Sequence, residues 1–435
     1  MKFKNLFPLL LGKLASRIIN LISLGAGSTW PGHIALNLNQ YFISDLLSQN
    51  KHLKIILIAG TNGKTTTATL LKFILSTSSY QVFQNEEGAN LLNGIASSLI
   101  KNSSLFGKIS KNVAIFEIDE ASLPLVLQQI QPDAVVLLNL FRDQLDRYGE
   151  VDVIAKKWEE SLQSLEKKTT VFLNADDPQI AYLAKNLRPK SDFFGLTNKF
   201  FTNQQIPHDV DSVYCPSCGQ KLFYDGFAYS HLGDYYCKQC GFKRPKVGKK
   251  TDLPNPLEGL YNLYNLNAAA LVCNRLFNIS DDQIKKVLPQ FKAVFGRQEE
   301  IIYKGKKIFL ILSKNPTGFN QSISVVAKKF KQNKDSLLVL LNDRIPDGRD
   351  VSWIWDVDFE LLPQARHLYI TGDRVYDMAL RLQYADVVNF KFFNDSAQAI
   401  KEAVKTTSNG ETLFIMPTYS GMLEVRKFLS GKKLL

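Results

Sequence analysis

Short apolar runs, each ending in a polar elbow and followed by a helical pattern, recur along most of this chain. The first is Ile55 to Ala59, which breaks at Gly60, Thr61, Asn62 and Gly63 before a helical stretch opens at Lys64. Val113 to Ile118 follows, with Glu117, Asp119 and Glu120 near its carboxyl end. Ala134 to Leu138 is the next run, and TTVFLN then leads into Asn174, Asp176 and Asp177. Continuous apolar runs without alternation predict strands buried on both faces, as in parallel sheets. Strands alternating with helices predict an α/β fold whose ligands sit at the carboxyl ends of the strands. The polar elbows fall at those ends.

Residues 201 to 250 break the pattern with aromatics, four cysteines and a basic KRPKVGKK tail. It resumes in LEGLYNLYNLNAAALVCNRLF, where Asn262 and Asn265 are three apart on one helix face. A second strand–loop–helix series starts near Ile301 and predicts a Rossmann-like unit. The resulting domains are an N-terminal segment and linker over 1–33, with the turn-rich GAGSTWPG of residues 25 to 32 as the linker, a first α/β domain over 34–298 with an insertion at about 205–250, and a C-terminal Rossmann-like domain over 299–435.

Composition narrows the partners. An apolar share of 45% is that of a globular protein with true cores. Lysine and arginine total 53 against 41 acids, a formal charge of +12. That excess suits a nucleotide, an anionic lipid surface or nucleic acid, or a basic soluble protein with no such partner; charge alone does not separate these, and no basic stripe interleaved with aromatics favours nucleic acid. Residues 1 to 24 are basic and apolar at near-helical spacing. They either lie on a membrane surface or pack on the first domain, and packing is the preferred reading. No stretch reaches the ~18 apolar residues of a membrane span.

Two motifs carry chemistry. Gly60 to Thr66 reads GTNGKTT between a strand and a helix, the setting of a phosphate-binding loop. There the glycines admit backbone N–H groups to phosphate oxygens, Lys64 reaches the outer phosphates, and Thr65 offers a hydroxyl to Mg²⁺. The glycine common five residues before GK is Ile58 here. The second motif is Cys215-x₂-Cys218 and Cys237-x₂-Cys240 with 18 residues between the pairs, zinc-ribbon spacing. An insert this small needs Zn²⁺ to fold, and four thiolates leave no position open for water. Thiolate ligation implies a reducing compartment, hence cytoplasm. Cys273 lies in an apolar helix and reads as a core thiol.

Together these residues resemble the Mur ligases, ATP-dependent amide-forming enzymes of peptidoglycan synthesis. The resemblance implies a central P-loop ATPase domain and a Rossmann-like C-terminal domain. It implies that Gly60, Thr61, Asn62, Gly63, Lys64, Thr65 and Thr66 hold ATP, that Thr65 and Glu117 hold Mg²⁺, that Asn265 faces adenine, and that Arg297 in GRQE reaches the nucleotide. Gln144 stands where relatives have a histidine for a second metal, so that site is lost or uses Asp143 or Asp146. Tyr261 replaces a family histidine. In LSKNPTGFNQ, Lys314 replaces another and the motif's aspartate is missing.

The cysteine insert, NLFRDQLDRYGE, SKNPTGFNQ, DGRDVSW and PTYSGMLEVR together resemble one branch, the synthetase subunits of lipid II isoglutaminyl synthase. That resemblance covers residues 25 to 430. It implies amidation of the D-glutamate α-carboxyl of lipid II through an acyl phosphate at the inner membrane face. It also implies a heterodimer with a glutaminase subunit that supplies ammonia. An aspartate from Asp347, Asp350 or Asp356 then completes the partner's Cys–His dyad, and Asp350 is the expected one; otherwise Asp350 caps a turn. An amino-acid-adding ligase such as a folylpolyglutamate synthase, or an ATP-binding scaffold, is the competing expectation.

Overall fold

The computed structural model describes residues 3–22, 29–86, 88–143, 150–205, 208–248, 253–292 and 297–431, without the side chains of residues 3, 4, 20–22 and 297. Gln144, Asp146 and the Arg297 side chain therefore lie outside the described residues.

Three helices, α1 (Phe3–Ile22), α2 (Trp30–Leu38) and α3 (Phe42–Ser48), precede the first sheet. The expected linker over 25–32 is thus helical from Trp30, with Pro31 at the start of α2 where its missing N–H costs nothing. The sheet comprises β1 (Lys54–Ala59), β2 (Val82–Gln84), β3 (Val113–Ile118), β4 (Ala134–Leu137), β5 (Thr170–Asn174) and β6 (Lys190–Phe194). Its order is β2-β3-β1-β4-β5-β6 and every pair is parallel. The intervening helices are α4 (Lys64–Thr77), α5 (Leu92–Asn102), α6 (Leu123–Gln129), α7 (Val151–Leu162) and α8 (Pro178–Tyr182).

The period of two in β1 sends Ile55, Leu57 and Ala59 into the core on one face and Ile56 and Ile58 into the core on the other. This is why the run has no polar alternation. The long helix α9 (Leu260–Phe277) closes the second face against α4, with Ala268, Ala269, Ala270 and Cys273 buried. Burial pushes the Cys273 thiol well above its ordinary pKa, as a core thiol requires. On the first face α2 approaches α5 so closely that a Cβ on Gly32 would lie 1.9 Å from the Asn93 carbonyl oxygen.

The insert forms an antiparallel hairpin, β7 (Phe223–Tyr229) and β8 (Leu232–Tyr236). After α10 (Asp281–Val287), the second sheet begins with β9 (Arg297–Tyr303), antiparallel to β10 (Lys306–Ile311). The other strands are β11 (Ser336–Leu340), β12 (His367–Thr371), β13 (Lys391–Phe393) and β14 (Thr412–Pro417), in the order β13-β12-β11-β14-β10-β9. Its helices are α11 (Pro316–Lys329), α12 (Val375–Tyr384), α13 (Ser396–Thr406) and α14 (Tyr419–Ser430). The antiparallel edge strand is the one departure from the parallel pattern read in the sequence.

Candidate functional site

The carboxyl ends of β1, β3 and β4 meet the loop after β10 at a cavity of about 310 Å³. Its walls include Asn62, Lys64, Thr65, Asn90, Glu117, Glu120, Asp143, Lys314, Pro346 and Tyr419. Both sheets thus contribute to one site. An adjoining pocket is lined by Gly63, Thr66, Asn262, Asn265, Gln298 and Thr317.

The loop after β1 owes its shape to its glycines. Gly63 has φ +92°, and a Cβ there would stand 2.1 Å from Asn265 Oδ1. A glycine at that position serves both the turn and the approach of Asn265. Thr61 N–H donates to the Asn139 carbonyl at 3.0 Å, and Asn62 N–H to Asn139 Oδ1 at 2.8 Å. The Thr61 hydroxyl accepts from Phe141 N–H at 3.0 Å. The segment after β4 is therefore a template for the loop after β1.

Lys64 Nζ donates to the Gly60 and Thr61 carbonyls and lies 3.1 Å from Glu120 Oε2. Thr65 Oγ1 donates to Glu117 Oε2 at 2.8 Å. The Asn85 amide holds the Glu117 backbone from both sides at 2.9 Å. Asn265 donates to Asn262 Oδ1 at 3.1 Å and accepts from Thr67 Oγ1 at 3.3 Å. A carboxylate and a hydroxyl at the start of a 14-residue helix, beside a lysine, suit a metal–polyphosphate group.

The other sheet delivers Lys314 and Asn315. Lys314 Nζ is 2.6 Å from Asp143 Oδ2. Asn315 and Asn62 exchange side-chain amide hydrogen bonds at 3.1 and 3.3 Å. Asp143, one candidate for a second metal, is thus engaged by an ammonium. The Tyr261 hydroxyl accepts from Gln298 Nε2 at 2.7 Å.

The four cysteines converge as expected from their spacing. Their sulfurs lie within 4.8 Å of one another, the one such group among the described residues. Cys215–Cys240 and Cys218–Cys237 are each 3.6 Å apart, far beyond an S–S bond. Four sulfurs ~2.3 Å from one ion sit roughly 3.8 Å apart, so the set fits a tetrahedral metal. Each pair lies in a tight turn closed by a glycine, Gly219 at φ +72° and Gly241 at φ +74°.

The hairpin of this insert reaches the loops after β4 and β5. Its tip places the wholly buried His231 with Nε2 3.3 Å from Asp177 Oδ2 and its ring 4.9 Å from that of Phe141. Asp177 also accepts from Leu140 N–H at 2.9 Å. Burial works against protonation of His231, yet the Asp177 charge raises its pKa above the ordinary value. Nothing in the spacing of the motifs signalled His231.

The three aspartates of the loop after β11 differ in kind. Asp347 is buried and accepts from the amide and hydroxyl of Ser420. Asp356 faces Arg142 at 3.4 Å. Asp350 is half-buried and uses Oδ1 to cap Ser352 N–H at 2.8 Å. Trp353 packs near Phe319, whereas Trp355 is half-exposed beside Tyr384.

Residues 58–273 match the Mur ligase middle domain family, and residues 312–422 match the MurT ligase C-terminal family. The chain is 33% identical to the lipid II isoglutaminyl synthase (glutamine-hydrolyzing) subunit MurT of Streptococcus pneumoniae, over all of this chain and 99% of that one. It is 35% identical to the subunit of the same description from Staphylococcus aureus strain COL, over 83% of this chain and 84% of that one. MurF ligase from Thermotoga maritima, solved in complex with ADP, superimposes with a TM-score of 0.63 at 15% identity over 92% of this chain and 84% of its own, a likeness of fold.

Proposed function

Because the chain belongs to the MurT family of Mur ligases, we propose that it amidates the D-glutamate α-carboxyl of the lipid II stem peptide, using ATP and ammonia. The observation that carries this reading is the single cavity in which Lys64, Lys314, Thr65 and Glu117 converge from two domains. A carboxylate resists attack because its leaving group is an oxide. ATP supplies the phosphoryl group that turns that oxide into phosphate, giving an acyl phosphate open to ammonia.

In this reading Gly60 to Thr66 cradle the phosphates and Asn265 lies on the adenine side. Thr65 and Glu117 would hold Mg²⁺, and Arg297 would contact the nucleotide. Lys64 leaves its backbone carbonyls to meet charge developing on the transferred group. Lys314, brought by the other domain, offsets the charge of the acceptor carboxylate as it approaches a phosphate. Cys215, Cys218, Cys237 and Cys240 would hold a structural Zn²⁺.

Ammonia must come from elsewhere. Cys273 is fully buried and its thiol pKa is high, so it is no nucleophile for glutamine hydrolysis. A glutaminase subunit in a heterodimer would supply it, as the relatives' description as glutamine-hydrolyzing subunits suggests. Asp350 suits the role of orienting that partner's histidine, since Asp347 is locked inside and Asp356 is ion-paired. The chain would work in the cytoplasm, at the inner face of the membrane. Among the described residues no helix is long and apolar enough to cross it.

The test is amidation of lipid II with ATP and ammonium. Lys64→Ala should lower turnover by about 10²–10³, the loss typical of one transition-state donor, with melting unchanged. Near-native turnover in that variant would refute the assignment.

A further inference from the structure

Helix α1 is apolar on both faces, and only one is covered. Leu9 is fully buried, and Gly12 is so close to the first domain that a Cβ would lie 2.7 Å from Ile100 and 3.1 Å from the Pro31 carbonyl. Lys13 donates to the Ile100 and Ser103 carbonyls. The opposite face carries Phe7 at 60% exposure, Leu10 at 41%, Leu14 at 52% and Ile18 at 45%, spaced as one helical stripe. An exposed apolar stripe on a helix whose other face is already packed marks an interaction surface. Trp30, 58% exposed, adjoins the Pro31 on which Gly12 rests, and Phe106, 73% exposed, tips the loop whose base takes the Lys13 ammonium.

Charge decides what that surface meets. Lys2, Lys4, Lys13 and Arg17 are the charged residues before residue 45, with no acid among them. A basic segment of this kind attracts an anionic bilayer. Two copies apposed through it would set like charges together. The position also fits. Asn90 and Leu91, just before α5, line the cavity, while the far end of α5 carries Ile100 beneath α1. Eleven residues of helix span about 16 Å, so a bilayer at α1 lies within reach of a lipid-linked head group in the cavity.

We propose that the outward face of α1, with Trp30 and Phe106, docks the chain on an anionic membrane surface, with the apolar stripe in the headgroup–acyl boundary. This rests on the reading that the substrate is lipid-linked. Part of α1 thus packs on the domain and part addresses the bilayer.

The experiment is co-sedimentation of the full-length protein, in complex with its partner, with vesicles of phosphatidylcholine alone or with added phosphatidylglycerol. Binding should require phosphatidylglycerol and weaken with salt. Leu10→Glu with Leu14→Glu should weaken it at least tenfold, since each leucine loses its burial. Arg17→Glu, in the event that the double variant misfolds, should weaken it about fivefold or more. Equal binding to both vesicles, none to either, or variants that bind like the parent would overturn the proposal. So would a dimer of the complex that the leucine variants dissociate. Turnover of a lipid-free peptide analogue should be the same in parent and variants. Its failure in the parent would count against the amidation reading and leave the vesicle result standing.

Discussion

Lys314→Met should loosen the closed site without unfolding either domain. The lysine is 2.6 Å from Asp143 Oδ2, with side chains 25% and 5% exposed. Removing one partner of a buried ion pair typically costs ~3–5 kcal/mol, because the other charge is left stranded. Two features reduce that here. Lys314 is partly solvated, and Asn315 Nδ2 still reaches the same carboxylate oxygen at 3.4 Å. A loss of ~2–3 kcal/mol remains, equivalent to roughly 30- to 150-fold in the equilibrium between joined and parted domains. ATP affinity should fall by up to that factor, read by calorimetry, and a fluorophore pair on the two domains should report a longer mean distance. The melting of each domain should hold, since both residues lie in the connections after β4 and β10 and outside the apolar cores. Adding Asp143→Asn should recover most of the loss by removing the stranded charge. A double-mutant cycle with a coupling energy near zero would refute the reasoning. So would a double variant as weak as Lys314→Met, because the lysine would then act on phosphate alone.

Three further outcomes follow, two from the residues described above and one from Asp209, buried in the insert near its hairpin tip, where its carbonyl accepts from the Ser230 hydroxyl. Asp350→Asn should cut glutamine-driven amidation by about 10²–10⁴, as when a triad loses its aspartate, and leave ammonium-driven amidation unchanged; equal loss in both assays would return Asp350 to a structural cap. Purified protein should hold one Zn²⁺ per chain by elemental analysis, and Cys218→Ser should lower both zinc content and melting temperature; full stability without zinc would contradict the ligand set. Burial raises the Asp209 pKa from 3.8 to about 6, so its contribution to stability is complete below the unfolded value and is lost as pH rises through 6. That shift is worth ~3 kcal/mol. Asp209→Asn should therefore flatten the denaturant midpoint across this window and be the more stable protein at pH 8; parallel pH profiles would refute the assignment.

What the sequence disclosed was whatever sits close along the chain. The run Ile55 to Ala59, the glycine turn and Lys64 form one local unit, so the strand, turn and helix were legible from residue order. Residue order put Glu117, Asp119 and Glu120 together at the end of an apolar strand; only the family resemblance singled out Glu117, and the fold sets it 2.8 Å from Thr65 Oγ1. The cysteine pairs were legible because two tight turns of this spacing can converge on one ion.

What it hid was what tertiary structure alone brings together. Asn62 meets Asn315 across 253 positions, and Asp143 meets Lys314 across 171. No local periodicity encodes such pairs. The buried Asp347 and the half-exposed Asp350 share one loop, and only the packing of Ser420 separates their roles. His231 was silent for the same reason, since its partner Asp177 and neighbour Phe141 lie on the first sheet. The stretch before the first sheet misled in part. Trp30 to Gly32 read as a turn-rich linker, yet Pro31 opens a helix and Gly32 lets it press on α5.

The central claim is that the acceptor carboxylate becomes an acyl phosphate in the cavity between the two domains. Its most direct test labels both oxygens of the stem-peptide D-glutamate α-carboxyl with oxygen-18. The protein is then supplied with ATP and ammonium but no glutamine, and the released phosphate is analysed by mass spectrometry. Transfer of one labelled oxygen to phosphate for each amide formed, abolished by Lys64→Ala, is the expected result. Amide formation with unlabelled phosphate, or phosphate release without any amide, would contradict the account.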